Sequence, residues 1–293
     1  MSAYLPLRRG DVLLFEHIPK TAGSTLRRVL WHRYGSGHVV HTRMVDPAPR
    51  TEELRAQIRA GRPPRAITSH IGYGLHERLP GDLRYRHITI LRDPIERTVS
   101  HYYFALKQGN LDEGTTLLDF CRGDAASPSA LRAWNNQTAY LSGLRVRQLH
   151  DGHPFDPTEY DEALLARAQA NLDRFAAVGL VERFDESLLL LGRTFGWPLV
   201  TLRSLPRNVG RRPRRLALTA EERAALEAAN RLDLALYRHA ERRFEVLLAE
   251  RVPDASARLG ALARLNRAYR AVAPAVLGLE ALKRAVQDTL RSR

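Results

Sequence analysis

Three short segments of this chain carry residues whose types and spacing suit the handling of an anionic ligand. The first is Pro19-Lys20-Thr21-Ala22-Gly23-Ser24-Thr25, a few residues after the apolar run Val12-Leu13-Leu14-Phe15. At a helix start the free N–H groups and the positive end of the helix dipole both face outward, so such a loop cradles anionic oxygen. Lys20 adds a compact, mobile cation, and Gly23 permits close backbone approach. The second segment is Arg92-Asp93-Pro94-Ile95-Glu96-Arg97-Thr98-Val99-Ser100, after His87-Ile88-Thr89-Ile90-Leu91. Arg92 offers a forked donor and Ser100, two helical turns on, a hydroxyl, which together suit one more phosphate-type group. The third segment, Ala66-Ile67-Thr68-Ser69, ends in His70. A histidine placed there can take a proton from a hydroxyl near neutral pH.

The elements that must position these residues are legible as apolar periodicity. Strands are expected at 11–18, 38–42, 66–70, 87–91 and 177–181, alternating with helical segments, which predicts a mostly parallel sheet with helices on both faces. Leu26, Val29, Leu30 and Tyr34 recur at helical spacing, so a helix starts near Ser24. Asp93 is an N-cap, Pro94 fits the first helical position and Glu96 completes a capping box, leaving Arg97 on the solvated side. Lys20, His70 and Arg92 each follow a predicted strand, the rim where open α/β sheets bind ligands. The loop is not of the triphosphatase type G-x-x-x-x-G-K-[ST], because Lys20 precedes Gly23 and no Gly-Lys pair exists. Of 46 Lys and Arg residues only Lys20, Lys107 and Lys283 are lysines, so a lysine on this loop points to a need for a small flexible cation.

The ordered pair PKTAGSTL and LRDPIERTVSHYY resembles the nucleotide-binding motifs of the sulfotransferases that use 3′-phosphoadenosine 5′-phosphosulfate (PAPS). Over about residues 11–250 the likeness is closest to the carbohydrate group that includes the heparan-sulfate uronyl 2-O enzymes. The resemblance implies a P-loop-like α/β fold and sulfuryl transfer to a hydroxyl, the acceptor being a carbohydrate or glycoconjugate. It implies that Lys20, Thr21, Ala22, Gly23, Ser24 and Thr25 hold the 5′-phosphosulfate, and Arg92 and Ser100 the 3′-phosphate. Lys20 would also stabilise the leaving phosphate oxygen, and His70 would be the base, with His76 and Glu77 as alternatives. His17 is read as structural. Sulfotransferases often close the nucleotide with a late basic loop. In Arg203–Arg215 that role falls to Arg211 or a neighbour; the alternative is a solvated basic loop. No metal is implied, and the single Cys and 11 His show no zinc-like spacing.

At 293 residues and 44% hydrophobic content the chain can bury a large core. Residues 1–252 are expected to form the PAPS-binding domain and 253–293 a helical C-terminal extension. The lone Cys121 excludes an internal disulfide framework, no apolar run approaches bilayer length, and no signal-peptide core is read at the N-terminus; a cytoplasmic, bacterial protein is expected. The net charge of +14 favours an anionic partner, but the scattered arginines match no nucleic-acid module. A small-molecule kinase is the alternative activity, weakened by the missing Gly-Lys-Ser/Thr. Residues 46–65 are expected at the surface around a short helix from Thr51, and 108–130 as an irregular wall of the acceptor site. Trp134-Asn135-Asn136-Gln137-Thr138 either turns buried amides toward cofactor or acceptor, or starts a helix with Asn135 as cap. Helices are expected over Glu159–Arg174, Phe184–Phe195 and from the Thr219 cap to about Leu248. Leu262, Leu265, Tyr269, Val272, Val276 and Leu279 form an apolar seam interrupted by Pro274. Core packing is its default, with dimerisation or peripheral contact with an acidic membrane surface as alternatives; the oligomeric state is left open.

Overall fold

The computed structural model describes residues 7–8, 10–42, 47–122, 134–202 and 218–271. The apolar runs form five strands: β1 (Asp11–Glu16), β2 (Val39–Thr42), β3 (Ala66–Ser69), β4 (Arg84–Leu91) and β5 (Ala177–Leu180). They make one sheet in the order β2-β3-β1-β4-β5, with every pairing parallel. All expected strands are present, with shifted ends. β1 stops at Glu16 because His17 and Ile18 turn into the following loop, although the His17 N–H still donates to the Ser69 carbonyl at 2.8 Å. β4 starts earlier than expected, at Arg84, whose Nε donates to the buried Asp11 carboxylate at 2.8 Å.

Side chains alternate across a sheet, so each strand feeds two faces. Leu13, Phe15, Ala66, Ile88 and Ile90 meet Leu26, Val29 and Leu30 of α1 (Gly23–Tyr34) in the main core. Val12, Leu14, Val40 and Ile67 face the other way, onto Leu54 and Ile58 of α2 (Pro47–Arg59) and onto Leu75 and Leu79. The helix expected from Thr51 therefore begins at Pro47, and its buried stripe fastens it to the sheet.

α3 (Pro94–Lys107) follows β4. Inside the stretch expected to be irregular lies α4 (Leu117–Arg122), whose Phe120 joins Tyr102 and Leu226 in a small third core; 123–130 fall outside the described residues. Then come α5 (Asn136–Leu141), α6 (Leu144–His150), α7 (Glu162–Asp173) and, after β5, α8 (Phe184–Phe195), which matches its expected span. The long helix expected from Thr219 is two. Thr219 and Glu222 do form a full capping box at α9 (Ala220–Ala229), but the chain breaks at Asn230 before α10 (Arg231–Arg251). Asn230 is fully buried; its amide donates to the Leu226 carbonyl and its oxygen accepts from Thr98, so the break is held on both sides. A further helix, α11, covers 255–271 and buries Leu262 in the main core and Tyr269 beside it. Val272, Pro274, Val276 and Leu279 of the seam lie outside the described residues.

Candidate active site

The strand ends set the site. Glu16 is level with Ser69 on one side and Thr89 on the other, so the loops after β1, β3 and β4 leave the sheet along one rim. Lys20 and Ala22 hold left-handed backbone angles, φ 74° and 59°. Such angles cost a non-glycine residue on the order of 1 kcal/mol or more and gather at ligand-binding loops. α1 begins without a side-chain cap and without an acidic residue in its first turn. The Thr25 and Leu26 N–H groups bond back to the Ala22 carbonyl at 2.9 and 3.3 Å, while those of Ala22, Gly23 and Ser24 find no acceptor among the described residues. A 12-residue helix thus presents bare donors and its positive end to the rim, beside Lys20. Thr21 contributes differently: its side chain is buried and donates to the Ile18 carbonyl at 2.9 Å, bracing the loop from inside.

Gly23 serves close approach, but of a neighbouring ring. A Cβ built on Gly23 would lie 1.8 Å from His17 Nε2. His17 is buried, stacks on Phe15 with ring centroids 5.2 Å apart and meets His70 at 3.9 Å. His41 completes the cluster, 5.2 Å from His70, with its Nδ1 2.8 Å from Thr68 Oγ1. Burial lowers the pKa of His70 to about 4, helped by the charges of His41 and Arg27, and holds that of His17 well below the usual histidine range. His70 is therefore neutral at neutral pH. The alternative bases lie elsewhere. His76 packs against His87 at 4.5 Å and Tyr73 at 5.1 Å, and Glu77 projects into solvent.

The two anion motifs touch. Arg92 is buried, and its Nη1 donates to the Lys20 carbonyl at 3.4 Å. Nη2 pairs with Glu96 Oε2 at 3.0 Å. The expected capping box on α3 is thereby half-formed: Asp93 accepts from the Glu96 N–H at 2.9 Å, but the Glu96 carboxylate turns to Arg92, and Glu182 takes the Asp93 N–H instead. Ser100 is buried on α3. One turn further on, Phe104 lies 42% exposed with the Lys20 ammonium 4.2 Å above its ring. Arg211 and the Arg203–Arg215 stretch lie outside the described residues.

Arg97 is fully buried, against the expectation of a solvated side chain. Burial lowers its pKa to about 10, opposed by the nearby Asp233 carboxylate. Asp233 is the residue the sequence reading missed; Gln137, expected among amides buried toward cofactor or acceptor, is buried and turns its amide to the Arg92 backbone. Gln137 brackets Arg92, accepting from its N–H at 3.0 Å and donating to its carbonyl at 2.8 Å. Asn135 does not cap its own helix; its oxygen accepts from the N–H groups of Leu232 and Asp233, the first turn of α10. Asp233 in return caps α5 through the Gln137 and Thr138 N–H groups. The run of amides at 135–137 marked the place, but a cap supplied from another helix has no local signature.

A parallel sheet with an uncapped, lysine-bearing loop on its central strand and an Arg–Ser helix on the next strand defines a P-loop-like α/β protein whose rim suits an anionic ligand. The chain belongs to the galactose-3-O-sulfotransferase family, whose profile matches residues 5–289. Within the carbohydrate sulfotransferases that the motifs implied, the match is thus to the galactose-3-O group. Galactose-3-O-sulfotransferase 3 from Mus musculus is 29% identical over 80% of this chain, and that from Homo sapiens 28%. The chain spans 56% of the length of each of these curated relatives. Among solved structures, a sulfotransferase from Alicyclobacillus acidocaldarius aligns over 80% of this chain and 96% of its own, with 17% identity and a TM-score of 0.41. A mouse sulfotransferase solved with PAP aligns over 80% and 91%, with a TM-score of 0.33.

Proposed function

We propose that this chain transfers the sulfuryl group of PAPS to the 3-hydroxyl of a galactose residue in a glycan. The observation that carries the reading is the bare N-terminus of α1, beside Lys20 and joined to a second cationic group by the Arg92–Lys20 bond. PAPS offers two anionic ends, and two linked anion subsites fit it. In the proposed step the acceptor oxygen bonds to sulfur as the sulfur–oxygen bond to the 5′-phosphate breaks. The electron pair stays on that phosphate oxygen, where Lys20 and the α1 donors meet the developing charge. The hydroxyl proton passes to His70, which is neutral at pH 7 and so has a lone pair to accept it, although burial makes it a weaker base than a free imidazole. Arg92 and Ser100 hold the 3′-phosphate in this scheme, with Arg211 as a further ligand. The family description and the curated relatives point to galactose.

The test is transfer of labelled sulfate from PAPS to a terminal β-galactoside. A product sulfated at O3, with no turnover of the 3-deoxy analogue, is expected. Sulfation of other hydroxyls only would move the acceptor. Phosphoryl transfer from ATP and magnesium, with none from PAPS, would replace the proposal with a kinase.

A further inference from the structure

We propose that Gln137, fixed by Asp233, is a positioning residue that aims Arg92 at the 3′-phosphate of the nucleotide; this rests on the reading of Arg92 given above. Arg92 is the first residue past β4, where the sheet no longer holds the backbone. Gln137 takes over that task with one side chain. Its oxygen accepts from the Arg92 N–H at 3.0 Å, and its nitrogen donates to the Arg92 carbonyl at 2.8 Å. An amide is the side chain that can pair both backbone groups of one residue, as a neighbouring strand would. The bracket fixes the Arg92 backbone, and with it the direction in which the guanidinium leaves the chain.

Gln137 itself is locked. It is fully buried, and its N–H donates to Asp233 Oδ2 at 3.0 Å, while the Thr138 N–H and hydroxyl both donate to Oδ1 at 2.7 Å. Asn135 returns the cap to α10, so the first turns of α5 and α10 hold each other. The lock reaches α3 as well. Arg97 lies close enough for its charge to favour the Asp233 carboxylate, and its Nη2 donates to Thr98, which donates to Asn230 at the head of α10. Arg92 and the helix carrying Ser100 are thus referred to one buried polar frame. Apolar packing would fasten the helices more cheaply; only polar groups can read the Arg92 peptide.

The test separates positioning from mere structure by ligand choice. Binding of adenosine 3′,5′-bisphosphate and of AMP, which lacks the 3′-phosphate, is measured on wild type, Gln137→Met and Arg92→Ala. Gln137→Met removes both bonds at similar volume. It is expected to weaken bisphosphate binding about tenfold and AMP binding less than twofold. The donor KM should rise by the same tenfold, with kcat at saturating donor within a factor of two. Equal weakening of both nucleotides, or of neither, overturns the inference. Should Gln137→Met fail to fold, Gln137→Asn keeps the amide but withdraws it by one methylene, and the same selective loss is expected. Arg92→Ala distinguishes the layers. If it binds the bisphosphate as wild type does, the reading of Arg92 is wrong. If it loses binding while both Gln137 variants keep it, the positioning role alone is wrong.

Discussion

Gly23→Ala sets two effects of opposite sign against each other. Helix propensity alone favours alanine by up to about 1 kcal/mol. Sterically, the new methyl would sit 1.8 Å from His17 Nε2 and 1.9 Å from its Cδ2. Carbon contacts settle near 3.5 Å or beyond, so something must give by about 1.5 Å. The ring has little freedom to give, since Phe15 stacks on one part of it and His70 lies 3.9 Å away. Overpacking of this kind costs about 1–3 kcal/mol, so the clash outweighs propensity. At roughly 2–4 °C per kcal/mol for a chain of this size, the melting temperature should fall by about 5 °C. The decisive assay is a double-mutant cycle followed by urea unfolding. His17→Ala alone leaves a cavity and destabilises, but Gly23→Ala added to it should then cost nothing, a coupling of at least 1 kcal/mol. A Gly23→Ala protein as stable as wild type, or additive losses in the cycle, would refute the contact as the reason for glycine at this position.

Acid should unfold the molecule partly through His70. Its folded pKa of about 4 lies below the ordinary 6.5, so the unfolded chain binds the proton first, and stability falls as pH drops from about 6.5 toward 4. Between pH 7 and pH 5 this amounts to about 2 kcal/mol. His17 acts with the same sign and Glu16, whose pKa burial raises, with the opposite sign. Comparing wild type with His70→Asn by urea unfolding at the two pH values isolates the term, and an unchanged pH dependence would contradict it. Asp233→Ala strips the cap from α5 and leaves the buried Gln137 and Thr138 N–H groups unsatisfied; a loss of about 2–4 kcal/mol is expected in the same assay. Lys20→Ala should cut kcat by about 10²–10³ in sulfate transfer while leaving the fold intact by circular dichroism, and a loss under tenfold would remove Lys20 from the chemistry.

The sheet was legible because its strands are buried on both faces and read as continuous apolar runs, Val12–Phe15 and Ile88–Leu91 among them. The rim followed from it, since parallel strands that end in register bring Lys20, His70 and Arg92 to one edge. What the sequence hid is non-local. Arg97 occupies a polar-looking position on an amphipathic helix, and only the tertiary fold makes it an interior residue. Asn135 has the residue type of a cap, but the helix it caps begins nearly a hundred residues later. Asn230 interrupts an otherwise good helical pattern because Thr98 and Leu226 hold its side chain. Gly23 is expected to give a ligand close approach; what the structure shows beside it is the His17 ring, from a residue that periodicity assigns to a strand.

The central claim is a split nucleotide site, and calorimetric titration with adenosine 3′,5′-bisphosphate tests it most directly. Wild type should bind one equivalent, with Arg92→Ala weakened at least tenfold for the bisphosphate but little for AMP. A folded wild-type protein that gives no heat of binding, or an Arg92→Ala variant that binds the bisphosphate equally well, would contradict the account.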